Sequence, residues 1–66
     1  MDIEGLKAGL EILMAHGATG YTLAAEHDIL YVADARKVKM PLSEIRKLHK
    51  LGWHIDSDVE SWAAFT

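Results

Sequence analysis

The chain of 66 residues contains no cysteine and a single proline. Without cysteine no disulfide can form, which predicts a reducing compartment. No uninterrupted apolar run approaches the ~20 residues of a membrane-spanning helix. The first residues are acidic where a signal peptide would be basic. We therefore expect a cytoplasmic protein without a membrane segment, and a small core, because so short a domain buries only about 60% of its unfolded surface.

Basic residues are almost missing from both ends of the chain. Residues 1–35 hold one lysine against six acidic residues, and residues 51–66 hold three acidic residues and no lysine or arginine. The net charge of −3 therefore hides a basic segment, residues 36–50, in which Glu44 is the only acidic residue. Such a segment is either a solvated surface or a binding surface for an anionic partner.

What the chain does contain is an internal repetition. Each half has a short amphipathic helix that ends near a glycine, then an aromatic residue and a hairpin. The two units span 2–33 and 41–66 and make one domain, residues 1–66. The sequence therefore predicts an α+β fold of order αββαββ, a four-stranded antiparallel sheet with two helices on one face. The strand order within that sheet is left open.

Apolar spacing and caps predict the first helix over residues 3–16. Asp2 is the expected N-cap, and Gly17 is the expected C-terminal stop. Apolar residues from Ile3 to Met14 recur at helical spacing and are expected to form one buried face.

Glycine also interrupts the first helix and ends the second. Gly5 and Gly9 lie four residues apart and weaken the helix by about 1 kcal/mol each, for which the close approach of another backbone would compensate. In the second unit Ser43 is the expected N-cap, and Gly52 stops the helix.

Alternating residues predict the hairpins. Strands are expected over 21–26 and 29–33, with Glu26 opposite Ile29. In the second hairpin the repeat places Asp58 opposite Ser61. The side of the sheet that the helices cover would then carry Trp53, Ile55, Trp62 and Ala64.

The opposite side of the sheet is predicted to be unusually apolar. A solvated sheet face normally carries polar residues, whereas this one would expose Ile29, Tyr31 and Phe65, which indicates contact with a partner or an identical subunit. Self-association also suits a chain with a small core. A register error of one residue would exchange the two faces. The predicted members are Thr22, Ala24, Ile29, Tyr31, Ala33, His54, Asp56, Ala63 and Phe65.

Candidate metal and catalytic residues have plainer explanations. His54, Asp56 and Asp58 alternate and could hold a divalent cation, but surface acids at a strand end are common and no second ligand cluster completes the set. The chain has no cysteine nucleophile, no Gly-x-Ser-x-Gly motif and no glycine-rich phosphate loop. His16 and His49 suit helix C-termini. We expect no metal, no cofactor and no catalytic activity.

The basic segment is a candidate nucleic-acid contact, and this hypothesis ranks second. Against it, the sequence pI is about 5.7, and the aromatic residues lie on the strands, away from the basic residues. The same patch could pair with acidic hairpins of another subunit. The candidate phosphate contacts are Arg36, Lys37, Lys39, Arg46, Lys47 and Lys50.

Acidic residues concentrate at the two predicted hairpin tips. Both turns are expected to be exposed to solvent, which is sufficient to explain them. The functional alternative is an acidic surface that engages a basic groove on a partner. These residues are Glu26, Asp28, Asp56, Asp58 and Glu60.

Two segments resemble small uncharacterised proteins encoded by phages and prophages. Residues 25–32 contain Glu-His-Asp before an aliphatic strand, and residues 51–66 contain Leu-Gly-Trp-His, an acidic turn and a closing Trp-Ala-x-Phe strand. The resemblance implies an origin in mobile elements and supplies no catalytic residues. Small acidic phage proteins often bind and block a host protein, including host defence complexes, as anti-CRISPR proteins do.

The residues and the resemblance together predict a small inhibitor that binds a host protein in the cytoplasm. Inhibition would occur by occlusion, and a homodimer through the apolar face is the structural alternative. Ile29, Tyr31, His54 and Phe65 would form the contact surface. Asp56, Asp58 and Glu60 would add electrostatic steering.

Overall fold

A computed structural model of the protein describes residues 1–19, 23–26 and 28–65. The helices are α1 (Ile3–Ala15) and α2 (Leu42–Lys50), and the strands are β1 (Ala24–Glu26), β2 (Ile29–Asp34), β3 (Trp53–Asp56) and β4 (Ser61–Phe65). The predicted αββαββ order is confirmed. The antiparallel sheet has the order β1-β2-β4-β3, so the second strands of both hairpins meet at its centre. Within the described residues, no helix is long and apolar enough to cross a bilayer.

The N-cap of α1 forms as predicted, and Leu6, Leu10 and Leu13 of its apolar face pack in the core, whereas the two outer members of that face do not. The Asp2 carboxylate accepts the Gly5 backbone N–H at 2.7 Å, which confirms the N-cap. The helix ends one residue earlier than expected, and Gly17 follows with a φ of +114° that only glycine adopts easily. Ile3 and Met14, predicted to be buried, are 79% and 65% exposed.

The two buried glycines of α1 let the Trp53 indole and the end of α2 approach the helix closely. Trp53 Nε1 donates a hydrogen bond to the Gly5 carbonyl oxygen at 3.1 Å. A Cβ at Gly9 would lie 1.9 Å from that nitrogen, and a Cβ at Gly5 would lie 3.2 Å from the Leu51 carbonyl oxygen. The predicted close approach is therefore made by a backbone at Gly5 and by a side chain at Gly9.

The start of α2 differs from the prediction. Its N-cap is Pro41, whose fixed φ of −68° leads into the helix without a side-chain cap. Ser43 is the second helical residue, so its assignment as N-cap was wrong. Gly52, with a φ of +98°, follows the helix as predicted.

The first hairpin has the predicted register, and the sheet beside it contains a bulge. Glu26 pairs with Ile29 as expected, and residues 21 and 22 of the predicted first strand lie outside the described residues. An irregularity between β2 and β4 lets Ala33 pair with Trp62. This bulge puts both Val32 and Ala33 in the core, so Ala33 was wrongly placed on the apolar open side.

The second hairpin is shifted by two residues from the predicted register. Ser61 pairs with Asp56 rather than with Asp58, and Ile55 pairs with Trp62. A shift of two residues lengthens the turn but leaves every side chain on its predicted side of the sheet.

The core lies between the helices and one side of the sheet. Trp53 and Trp62 are 2% and 1% exposed, which confirms that both tryptophans face the helices. Ile55 lies on the same side but at the edge of the sheet, and it is 45% exposed. The buried cluster contains Leu13, Val32, Ala33, Val38, Leu48, Trp53, Trp62 and Ala64.

Candidate functional site

The side of the sheet opposite the helices, called the open face below, carries three rows of side chains. The pairing of β2, β4 and β3 sets Tyr31, Ala63 and His54 in a central row. Ile29 and Phe65 form an apolar row at one end of the face. An acidic row at the other end contains Asp34, Ser61 and Asp56. Ala24 of β1 flanks Tyr31, and the predicted member Thr22 lies outside the described residues.

Two diagonal contacts cover the middle of the open face. The Tyr31 hydroxyl reaches across β4 and donates to Asp56 Oδ2 at 3.4 Å. The His54 and Phe65 rings stack with centroids 4.8 Å apart and an interplanar angle of 18°. Ala63 lies between these contacts and is fully buried although no helix covers it. The aromatic side chains are thus held in place before any partner arrives.

The apolar row is the most accessible part of the open face. Phe65 is 59% exposed, while Ile29 beside it is half-buried. An exposed phenylalanine whose ring is fixed by stacking loses little conformational freedom when it is covered. This arrangement suits binding to another surface.

An ion-pair network closes the acidic end of the molecule. Arg36 Nη2 lies 3.0 Å from Asp34 Oδ2, and its Nε lies 2.9 Å from Glu60 Oε2. The Ala35 backbone N–H also donates to the Glu60 carbonyl oxygen at 2.8 Å, which supports the left-handed φ of +53° at Glu60. The two loops after β2 and before β4 are therefore tied together.

The same network lowers the pKa of Asp34 below its ordinary value of 3.8, first through the Arg36 side chain and then through the Arg36 backbone N–H. Because the folded-state pKa is lowered, ionised Asp34 stabilises the fold above that ordinary value. This contribution is lost as the pH falls through the folded-state pKa.

Arg36→Gln is expected to raise the pKa of Asp34 towards 3.8, because it removes the dominant interaction. An NMR titration of the Asp34 carboxyl group measures the change. Lys37→Gln removes only a weaker charge interaction and serves as the matched control. Equal rises in both variants would contradict the role of the hydrogen-bonded pair.

The acidic residues of the two hairpin tips do not form one surface, although Asp56, Asp58 and Glu60, which were predicted to steer a partner, lie at the same end. Ile29 at the start of β2 pairs with Phe65 at the end of β4, so the two hairpin tips lie at opposite ends of the sheet. Asp28 lies at the apolar end, whereas Asp58 and Glu60 lie at the acidic end. Glu60 is partly neutralised by Arg36.

The basic residues predicted to contact phosphate do not form one surface either. Arg36 belongs to the acidic end of the sheet, and Lys47 lies 3.5 Å from Glu44. Arg46 and Lys50 are exposed four residues apart on α2, and neither forms an ion pair within the described part of the chain. The remaining candidates, Lys37 and Lys39, are exposed on either side of the buried Val38 in the connection between β2 and α2.

One of the candidate metal ligands, Asp56, already has both carboxylate oxygens in hydrogen bonds. Asp56 Oδ2 accepts from Tyr31, and its Oδ1 accepts the Asp58 backbone N–H at 2.9 Å. Among residues 1–19, 23–26 and 28–65, no group of three or more histidine, cysteine or acidic residues could hold a metal ion.

An open groove of about 380 Å³ lies between the helices, lined by residues that include Ile12, Glu11 and Lys47, and it is remote from the open face.

Comparisons with protein-family models, with curated proteins and with solved structures give no match.

Two features of the site were not predicted from the sequence. The first is the Arg36 network, because the nearness of Glu60 depends on how the loops meet. The Asp-x-Arg spacing could have indicated the contact between Asp34 and Arg36, but not the contact with Glu60. The second is the burial of Ala63, which depends on contacts across three strands.

Proposed function

We propose that this protein acts by binding a protein partner through the open face and catalyses no reaction. The observation that supports the proposal is the apolar row, where Phe65 is 59% exposed and stacked on His54. A solvated sheet face normally carries polar side chains, and the apolar row departs from that pattern while the acidic row follows it. A few well-packed anchor side chains, aromatic residues prominent among them, carry most of the binding free energy at protein interfaces.

The proposed partner is a host protein, and the mechanism is occlusion of its working surface. The resemblance to phage-encoded proteins supports this choice, and a bacterial defence component of the CRISPR type is the leading candidate. The proposed contact residues are Ile29, Tyr31, His54 and Phe65. Asp56 and Asp58 contribute steering, and Glu60 contributes less because it pairs with Arg36.

Immobilised protein should retain its partner from a bacterial lysate, as identified by mass spectrometry. Phe65→Asp is expected to abolish this retention, because a carboxylate would be buried in the interface. Leu42→Asp is the matched control, since Leu42 is 58% exposed and lies on α2, away from the open face. If Phe65→Asp protein keeps its circular dichroism spectrum and still retains the same partner, the open face is not the contact surface.

Self-association through the open face is the structural alternative. The small area of the open face argues against it. Four strands span about 14 Å and the three rows about 13 Å, which gives a flat area on the order of 200 Å². A standard interface buries about 800 Å² on each partner. A partner that also contacts the flanking loops fits better than a second sheet.

Nucleic-acid binding through α2 is the second candidate function. It is favoured by the exposed charges of Arg46 and Lys50 on one helix surface. Retardation of labelled DNA should then fall steeply with salt, and Arg46→Gln should reduce the salt slope by about one. Lys7→Gln, on α1, removes the same charge elsewhere and should leave the slope unchanged. No retardation at low salt would eliminate this function.

A further inference from the structure

We propose that the partner of the open face is a protein segment that carries arginine or lysine at one end and an apolar anchor about 13 Å away. This inference rests on the proposed function and adds the chemistry of the partner. It follows from the unequal ends of the open face.

The acidic end carries a strong local excess of negative charge. Asp34, Glu60 and Arg36 form one network with a net charge of −1. Asp56 and Asp58 add two further negative charges, and Lys37, whose charge acts on Asp34, offsets one of them, which leaves a local charge of −2. Asp58 is exposed, so its carboxylate is accessible to a cationic side chain. No lysine or arginine occurs in any of the four strands.

The other end of the open face offers the exposed Phe65 ring beside Ile29, with Glu26 paired to Ile29 and Asp28 at the adjoining hairpin tip. On β4, Phe65 lies four residues from Ser61 of the acidic row, and four residues of a strand cover about 13 Å. An extended segment would match this spacing with side chains four residues apart, and a helix with side chains about nine residues apart.

Charge decides between classes of partner for this face. Phosphate groups of nucleic acid and anionic lipid head groups would be repelled by the acidic row. A basic protein surface would be attracted, with its association rate dependent on salt. The cationic side chains would meet Asp58 and Asp56, while the apolar anchor would cover Phe65.

Synthetic extended peptides test this inference with ¹⁵N-labelled protein. The probe has two arginines at one end and phenylalanine four residues away, and a second peptide has glutamates in place of the arginines. A third has serine in place of the arginines. The arginine probe is expected to shift amide signals of β2, β3 and β4, and to bind at least about tenfold more tightly than the serine peptide.

Asp58→Asn should remove most of that tenfold preference, while Glu11→Gln, an equal change of charge on the exposed side of α1, should keep it. Equal binding of the serine and arginine peptides at the open face would overturn the charge requirement and leave the proposed function standing. Preference for the glutamate peptide, or shifts confined to α2, would overturn the inference. So would amide shifts on the open face that grow with protein concentration alone, because the occupant would then be a second copy.

Failure of the inference and failure of the proposed function are distinguishable. If Phe65→Asp abolishes retention of a lysate partner but no arginine peptide binds, only the partner chemistry is wrong. If Phe65→Asp leaves retention intact, the proposed contact surface is wrong.

Discussion

Trp62→Ala is expected to lower the free energy of unfolding by about 4 kcal/mol. Trp62 is 1% exposed, lies between β2 and β3 in the sheet, and meets the His49 ring edge-on at a centroid distance of 6.1 Å. Removal of its indole leaves a cavity under α2 that a small core cannot close. A domain of this length has a total stability of roughly 3–10 kcal/mol, so the loss amounts to about 40% of the stability at the upper end of that range and to all of it at the lower end.

Phe65→Ala is the control for this prediction and should cost less than about 1 kcal/mol. Phe65 lies three residues further along the same strand but on the open face, where it is already 59% exposed. Urea denaturation followed by circular dichroism measures both variants. If Phe65→Ala proves as costly as Trp62→Ala, the open face is covered in the monomer and the proposed contact surface is lost.

Gly9→Ala is expected to destabilise the protein by about 3 kcal/mol, although alanine is the better helix former by about 1 kcal/mol. The new methyl group would lie 1.9 Å from Trp53 Nε1, so the indole or the helix must move. That movement would also break the hydrogen bond from Trp53 to the Gly5 carbonyl oxygen. The midpoint of thermal unfolding should fall by roughly 15 °C.

A double-mutant cycle separates overpacking from other effects of Gly9→Ala. In a Trp53→Leu background the added methyl group meets a smaller side chain, so the cost of Gly9→Ala should largely disappear. Tryptophan fluorescence in the single variant should shift towards longer wavelength as Trp53 gains contact with water. A neutral or stabilising Gly9→Ala change would mean that Trp53 does not pack against α1.

Much of the fold followed from local signals. Asp2 as N-cap and the glycines after both helices were predicted correctly because caps depend on a few neighbouring residues. The register of the first hairpin was also correct. The register of the second hairpin differs by two residues because the turn between β3 and β4 is longer than the repeat implied. The residues of that turn contact the loop after β2, which is distant in sequence.

For the candidate site, the sequence predicted only which side of the sheet each strand residue faces. Alternating residues assigned Tyr31, His54 and Phe65 to the side opposite the tryptophans, and a two-residue shift preserves that assignment. Ala33 was misplaced because a bulge breaks the alternation at one point. Ser43 was misplaced because Pro41 starts α2 through its backbone alone.

The sequence by itself determined the αββαββ order, the lack of disulfides and the division of charge along the chain, because these depend on composition and local periodicity. Only the tertiary structure decided that Trp53 packs on Gly9, that Arg36 joins Asp34 to Glu60, and that the acidic hairpin tips lie at opposite ends of the sheet. Each of these depends on the strand order and on loops distant in sequence, which no local pattern encodes.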